Sequence, residues 1–403
     1  MPCSLPLFAW ALLLALCLPA QAASSFNLET REGNPGTPVE YAWHWMDKVL
    51  TIKDGADITI TGAVTDGTRI EVAPGAKATI TLDDVSITGV AVSAFFSAAR
   101  VLLCAGDAIR HKSCKFSDIG RGTNQSPLAL NTGANVMLNI RGNNTLTGGQ
   151  CALEKASYCA GITVPSSTTL NIDGAGTLTA TGGSWSAGIG GSGYGGKSRS
   201  IGFDAGTITI SGGTVTATGG VYSSGIGAGN GGQGGTITIS GGTVTARAGE
   251  YHGNNGIGGS GGAITISGGT VTAYGNNGPG IGGTPSSSFG GSDMTITISG
   301  GTVISHGGFG SAGIGGENYG TDSNFAITIT GNANVTAMGG DGFPQNNMGG
   351  GAGIGSDGCS FPGQRMDIIK IKIDRTARIK ARGGKGSKGG GDAEDIGQGG
   401  CAK

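Results

Sequence analysis

Side chains able to do chemistry are sparse in this chain. Between residues 201 and 364 there are seven carboxylates (Asp204, Glu250, Asp293, Glu317, Asp322, Asp341 and Asp357) and one strong base, Arg247. Cleaving a glycosidic bond needs two carboxylates at one point, or a carboxylate-held metal beside a base. These acids come one or two to a repeat, in loops, with no recurring cluster. Asp83 and Asp84 are adjacent, and as strand neighbours they face opposite sides, so a turn role is expected. The densest group lies in CAGDAIRHKSCKFSDIGRG (104–122), which gathers Asp107, Arg110, His111, Lys112 and Asp118. It is the best catalytic or ligand-binding candidate, set against the plainer reading of a disulfide-stapled surface loop. G-x-G-x-x-G matches carry no weight where Gly is so frequent and no strand–turn–helix context exists. No catalytic residue is assigned, and a polysaccharide lyase or hydrolase is kept as an alternative to a non-catalytic reading.

Binding residues are easier to name. Trp185, Tyr222, Tyr251, Tyr274 and Phe309 stand four to seven residues before a recurring isoleucine, at Ile189, Ile226, Ile257, Ile281 and Ile314. If successive units stack, each places one aromatic on a shared corner. Exposed rings about 5 Å apart would form a platform for the apolar faces of a glycan. Glu250, His252, Asn254, Asn255, Asn276 and Asn277 are placed to bond its hydroxyls. The opposing reading folds the rings back to cover the corner. A second candidate is basic: Lys370, Lys372, Arg378, Lys380 and Arg382 take outward positions occupied elsewhere by Thr, and nine of the 25 Lys and Arg fall between residues 365 and 388. They either block edge-to-edge aggregation or bind an acidic polysaccharide. Outward pairs Thr207/Thr209, Thr236/Thr238 and Thr295/Thr297 suggest an ice-binding grid, interrupted at Ala263 and Ala326, although Thr is favoured on exposed strands anyway.

The elements that would position these residues are repeats. TITISGGTVTATGG (207–220) returns as TITISGGTVTARAG (236–249), AITISGGTVTAYG (263–275) and TITISGGTVISHGG (295–308), with a looser copy at 326–340. Corresponding Thr209, Thr238, Thr265, Thr297 and Thr328 lie 29, 27, 32 and 31 residues apart. A period of that size without a helical pattern means stacked units. T-I-T-I and T-V-T-A alternate with period two, S-G-G is a turn where Gly supplies positive φ, and G-I-G forms a third short strand. The expectation is an all-β, right-handed parallel β-helix with three short strands per coil, the hand following from the crossover rule. Weaker repeats upstream and IIKIKIDRTARIKARGG (368–384) downstream bring the count to about eleven coils, a rod about 50 Å long at ~4.8 Å per coil. Tyr41, Trp43, Trp45 and Met46 are expected to cap its first coil.

Composition limits the rest. Of 403 residues 85 are Gly and only 12 Pro, which with no three-residue period excludes collagen. A net charge of -1 argues against a general nucleic-acid binder. Residues 1–22 read as a secretory signal with an A-x-A cleavage site, giving an exported chain that is secreted, periplasmic or on the cell surface, with no later transmembrane run. Four regions follow: the signal at 1–22, an N-terminal cap and irregular coils at 23–160, regular Gly-rich coils at 161–364, and a basic C-terminal coil and cap at 365–403. Setting aside Cys3 and Cys17 leaves Cys104, Cys114, Cys151, Cys159, Cys359 and Cys401, an even number that favours disulfides in an exported protein. Local pairs 104–114, 151–159 and 359–401 are preferred among the 15 pairings open to six cysteines.

AGITV (160–164), TLNIDGAGTLTATGG (169–183), AGIGG (187–191) with its later copies, the early WMDKVLTI (45–52) and LDDVSIT (82–88) together carry a resemblance. The chain resembles secreted bacterial β-helix proteins with Gly-rich repeats, including the group described as carbohydrate-binding domain-containing. The resemblance spans most of the chain beyond the signal. It implies surface or secreted carbohydrate recognition, a polysaccharide or cell-surface glycan as partner, and sometimes calcium, for which no ligand set transfers to these residues. The expected function is a non-catalytic carbohydrate binder or surface adhesin, with a purely structural surface protein and an ice-binding protein as further alternatives.

Overall fold

The computed structural model describes residues 23–36, 38–89, 126–149, 159–193, 204–250, 254–283, 293–316, 325–344, 347–359, 369–387 and 389–401. Among them there is no helix. The chain winds as a right-handed parallel β-helix with three sides. T-I-T-I segments such as Thr207–Ile210 build the first side, T-V-T-A segments such as Thr214–Thr218 the second, and G-I-G segments such as Ile226–Gly227 the third. The third side's sheet has twelve strands, all parallel except where Tyr41–His44 meets Val49–Ile52. That leaves one strand for each of the eleven coils expected.

Alternation sets the core. Ile208, Ile210, Val215, Ala217 and Ile226 point inward and are fully buried, and in the next coil Ile237, Ile239, Val244, Ala246 and Ile257 stand on them in register. Each aliphatic side chain thus packs on its own copy one rung away, and the core is a column. Outward residues fall into equally straight columns.

Glycine marks the places where the coils come closest. In S-G-G the second glycine, for example Gly242 at φ 74°, takes the left-handed conformation that turns side one into side two. On the third side Gly227 has φ 126°, and a Cβ there would lie 2.1 Å from the carbonyl oxygen of Gly258 in the next coil. Earlier coils turn the same corner differently. The long strands Asp57–Val64 and Lys77–Thr88 run through it, with a register shift beside Gly62. Asp84 sits at that shift with φ 53°, and its Oδ1 accepts a 2.8 Å hydrogen bond from the Asn143 backbone N–H. Asp83-Asp84 is therefore a corner element.

The first coil is closed by antiparallel pairing. Glu32–Asn34 runs against Ser24–Asn27, and Tyr41–His44 against Val49–Ile52. Phe26 joins Tyr41 and Trp43 at ring separations of 5.2 and 5.4 Å. Trp45 extends this cap, meeting Trp43 edge to face at 5.8 Å while 65% exposed, whereas Met46, also expected in it, follows the strand into its turn and lies outside at 96% exposure. At the other end Lys370–Ile373 and Arg378–Arg382 form the last rungs of sides one and two. Cys359 and Cys401, 42 residues apart, are joined in a disulfide that pins the final coil to the one before. Cys159 is also disulfide-bonded, while Cys104, Cys114 and Cys151 lie outside the described residues. No helix is long and apolar enough to cross a membrane among the described residues.

Candidate functional site

The corner between sides two and three carries the aromatic residues, in separate groups rather than one row. Trp185 and Tyr222 each stand four residues before the inward isoleucine and share one turn position, with left-handed φ of 68° and 62°. Their backbone N–H groups donate to Val221 and Glu250 carbonyls in the following coil. Their rings stack at 4.7 Å with planes 20° apart. Large side chains rarely adopt this backbone conformation, which costs ~1–2 kcal/mol at each site. In later coils Asn277 and Gly310 take the position, so the aromatic pair does not propagate.

Tyr274 belongs to a different column. It ends the strand Thr270–Tyr274 on side two, in register with Arg247 before it and His306 after it. The Arg247 guanidinium carbon lies 4.2 Å from the Tyr274 ring centroid, and the Tyr274 and His306 rings stack at 5.0 Å with planes 5° apart. Burial holds the His306 imidazole below its usual pKa, which favours the neutral ring. Phe309 is exposed at 45% and meets Phe343 edge to face at 5.1 Å. Tyr251 and His252 lie outside the described residues.

This geometry changes what the corner offers. Parallel rings with centroids 4.7–5.0 Å apart overlap in offset stacks. Their faces are turned towards one another along the rod, and the expected flat platform of open faces is absent from these pairs. What a ligand lying along the corner meets is a succession of ring edges, with phenolic O–H, indole N–H and imidazole nitrogen as hydrogen-bonding groups.

The flanking amides also have other work. Asn254 and Asn255 are buried. Asn254 Nδ2 donates to the Gly249 and Glu250 carbonyls, Asn255 Nδ2 to Gly259, and Asn276 Nδ2 to Gly249. All three brace the corner's backbone; Asn254 and Asn255 are too buried to meet glycan hydroxyls, while Asn276 is half-buried. Glu250 remains exposed beside them. Arg247, seen in the sequence only as an isolated base, is the contact that sequence reasoning missed. Its signal was the column one place beyond T-V-T-A, which reads Thr218, Arg247, Tyr274, His306 and Met338.

Several carboxylates that a hydrolase would need are tied to backbone. Asp204 Oδ1 accepts from Gln233 N–H at 2.8 Å, Asp341 from Lys385 at 2.7 Å, and buried Asp357 from Ala312 at 2.5 Å. Among the described residues no three His, Cys, Asp or Glu side chains gather as metal ligands. The loop at 104–122 lies outside the described residues. Lys370, Lys372, Arg378, Lys380 and Arg382 all project outward and exposed, as the alternation required. The ion pairs among described residues (Arg31 and Lys48 with Asp66, Arg69 with Glu71) lie far from them in the first coils.

The threonine columns differ between sides. On side one Ala263 and Ala326 break the Thr207–Thr236 column. On side two Thr145, Thr179, Thr216, Thr245 and Thr272 follow without interruption until Ile304.

Five segments, 170–194, 208–230, 237–262, 264–285 and 296–319, match the beta helix repeat family. The segment 208–230 opens on the first inward isoleucine of side one and passes through G-I-G, so it holds strands of all three sides. No curated protein and no solved structure is significantly similar to the chain. Repeat and fold agree: the matched segments are beta helix repeats, and they lie within a right-handed parallel β-helix.

Proposed function

We propose that this β-helix is an exported, non-catalytic carbohydrate-binding protein, acting at a cell surface as a glycan receptor or adhesin. The observation that carries the reading is the in-register line Arg247–Tyr274–His306, three planar polar groups on consecutive coils of a rigid rod. An extended glycan laid parallel to the rod meets one such group per rung. Its hydroxyls bond ring edges and the guanidinium, and the alkyl and ring surface between them excludes water. Rigidity matters because a preordered row loses little conformational entropy on binding.

A lyase or hydrolase is the weaker reading, since Asp204, Asp341 and Asp357 all bond backbone N–H groups. The test is a glycan array read with calcium and with chelator, using the protein and its Tyr274→Ala variant. Retention of at least one glycan class that falls several-fold in the variant, at unchanged melting temperature, supports the proposal. Bond cleavage of any retained polymer would replace it with the enzymatic reading.

A further inference from the structure

Resting on that reading, we infer that the glycan is acidic, and that it runs along side two from Arg247 to the basic last coil. The sequence offers the aromatic residues and the basic cluster as two unrelated features. Register joins them. Arg247 stands beneath Tyr274, Tyr274 beneath His306, His306 beneath Met338, and Met338 beneath Arg382. Over four rungs, about 19 Å, one outward column begins and ends on a guanidinium.

Within the strands of side two the charge has one sign. From Thr177–Thr181 to Arg378–Arg382 the strands of side two contain no carboxylate, while Arg378 and Lys380 stand next to Arg382. This occurs in a chain whose net charge is -1, so the positive charge is segregated. None of these cations is in an ion pair with a described carboxylate. Off the strands, Glu250 is exposed three residues after Arg247, while Asp341 and Asp395 at the corner accept backbone N–H bonds from Lys385 and Gly383. A guanidinium pairs with a carboxylate or sulfate through two parallel hydrogen bonds. The Tyr274–His306 stack between the terminal arginines suits pyranose hydroxyls better than a bare phosphate backbone. The ligand class is therefore a polyuronate or sulfated polysaccharide.

The test uses the whole chain and alginate as the acidic probe, with a neutral β-glucan and duplex DNA as comparators, by affinity electrophoresis at two salt concentrations. The variants are Arg247→Gln, the double Lys380→Gln/Arg382→Gln, and Lys53→Gln as a control on the first coil. Losing one charge-assisted contact is expected to weaken alginate binding about tenfold, and the double variant more, with a shallower salt dependence. Lys53→Gln should change nothing. Neutral glycan retained equally by all variants would overturn the acidic assignment and leave the carbohydrate reading standing. DNA bound as tightly as alginate, and lost by the same factor, would overturn the polysaccharide assignment. Retention of no polymer at all would remove both.

Discussion

Two glycine substitutions separate backbone conformation from coil spacing. Gly55 has φ 78° in a turn of the first coils, with nothing within 4 Å of where a Cβ would stand. Gly227 has φ 126°, and its Cβ would stand 2.1 Å from the Gly258 carbonyl oxygen. Gly55→Ala meets only left-handed strain of ~1–2 kcal/mol, partly offset by a less flexible unfolded chain. Gly227→Ala meets strain of ~1–3 kcal/mol. It must also push apart two rungs joined by Ile226 N–H to Gly256 O and Ala228 N–H to Gly258 O, at 3.0 and 2.9 Å. With about 1 kcal/mol for each weakened ladder bond, the total is about 3–5 kcal/mol. For a chain of this size each kcal/mol lowers Tm by ~2 °C or less, so Gly227→Ala should melt several degrees below Gly55→Ala. The assay is thermal denaturation followed by far-ultraviolet circular dichroism on both variants. If the two melt within about one degree of each other, the coils are not in the close contact described and the column argument fails.

The other expectations follow from single features. Cys401→Ser opens a loop of 42 residues and should destabilise the last coil by up to about 4 kcal/mol, seen as faster proteolysis near the C-terminus with the central coils intact. Asp66 is held at a pKa of about 2: burial pushes it up, but hydrogen bonds from Thr68 and Lys48 and the Lys48 charge outweigh that. Its ionised form therefore stabilises the fold above about pH 4, and that stability is lost as pH falls through 2. The gap between the protein and Asp66→Asn, about 1 kcal/mol at neutral pH given solvent screening, should close over that interval in urea titrations. Thermal hysteresis should be absent, because Ala263 and Ala326 break the threonine grid on side one and Ile304 ends the short run on side two; a measurable freezing gap would reverse this.

Much of the fold was legible because the same physics writes it in every coil. Period-two alternation places Ile208 and Val215 inward, and S-G-G states the corner without reference to distant residues. The aromatic corner was harder to read for a geometric reason. Counting back from G-I-G crosses a turn of variable length, four residues from Trp185 to Ile189 but seven from Tyr274 to Ile281. Counting forward from T-V-T-A crosses no turn, and it places Tyr274 with Arg247 and His306. The burial of Asn254 and Asn255 was not legible, since nothing local distinguishes an amide that braces a carbonyl from one that faces water. Ring orientation was likewise set by the neighbouring coil, which made face-to-face stacking along the rod the outcome for Trp185 on Tyr222.

Because Ile237 sits on Ile208 as Ile264 sits on Ile237, any interior coil could be excised or duplicated and its neighbours would close on one another with their contacts preserved. Such a molecule changes length only in whole steps, each adding one rung to all three sides. Recombination between near-identical repeats thus has a direct physical readout: it adjusts the length of the rod in units of one coil, leaving the buried aliphatic column continuous.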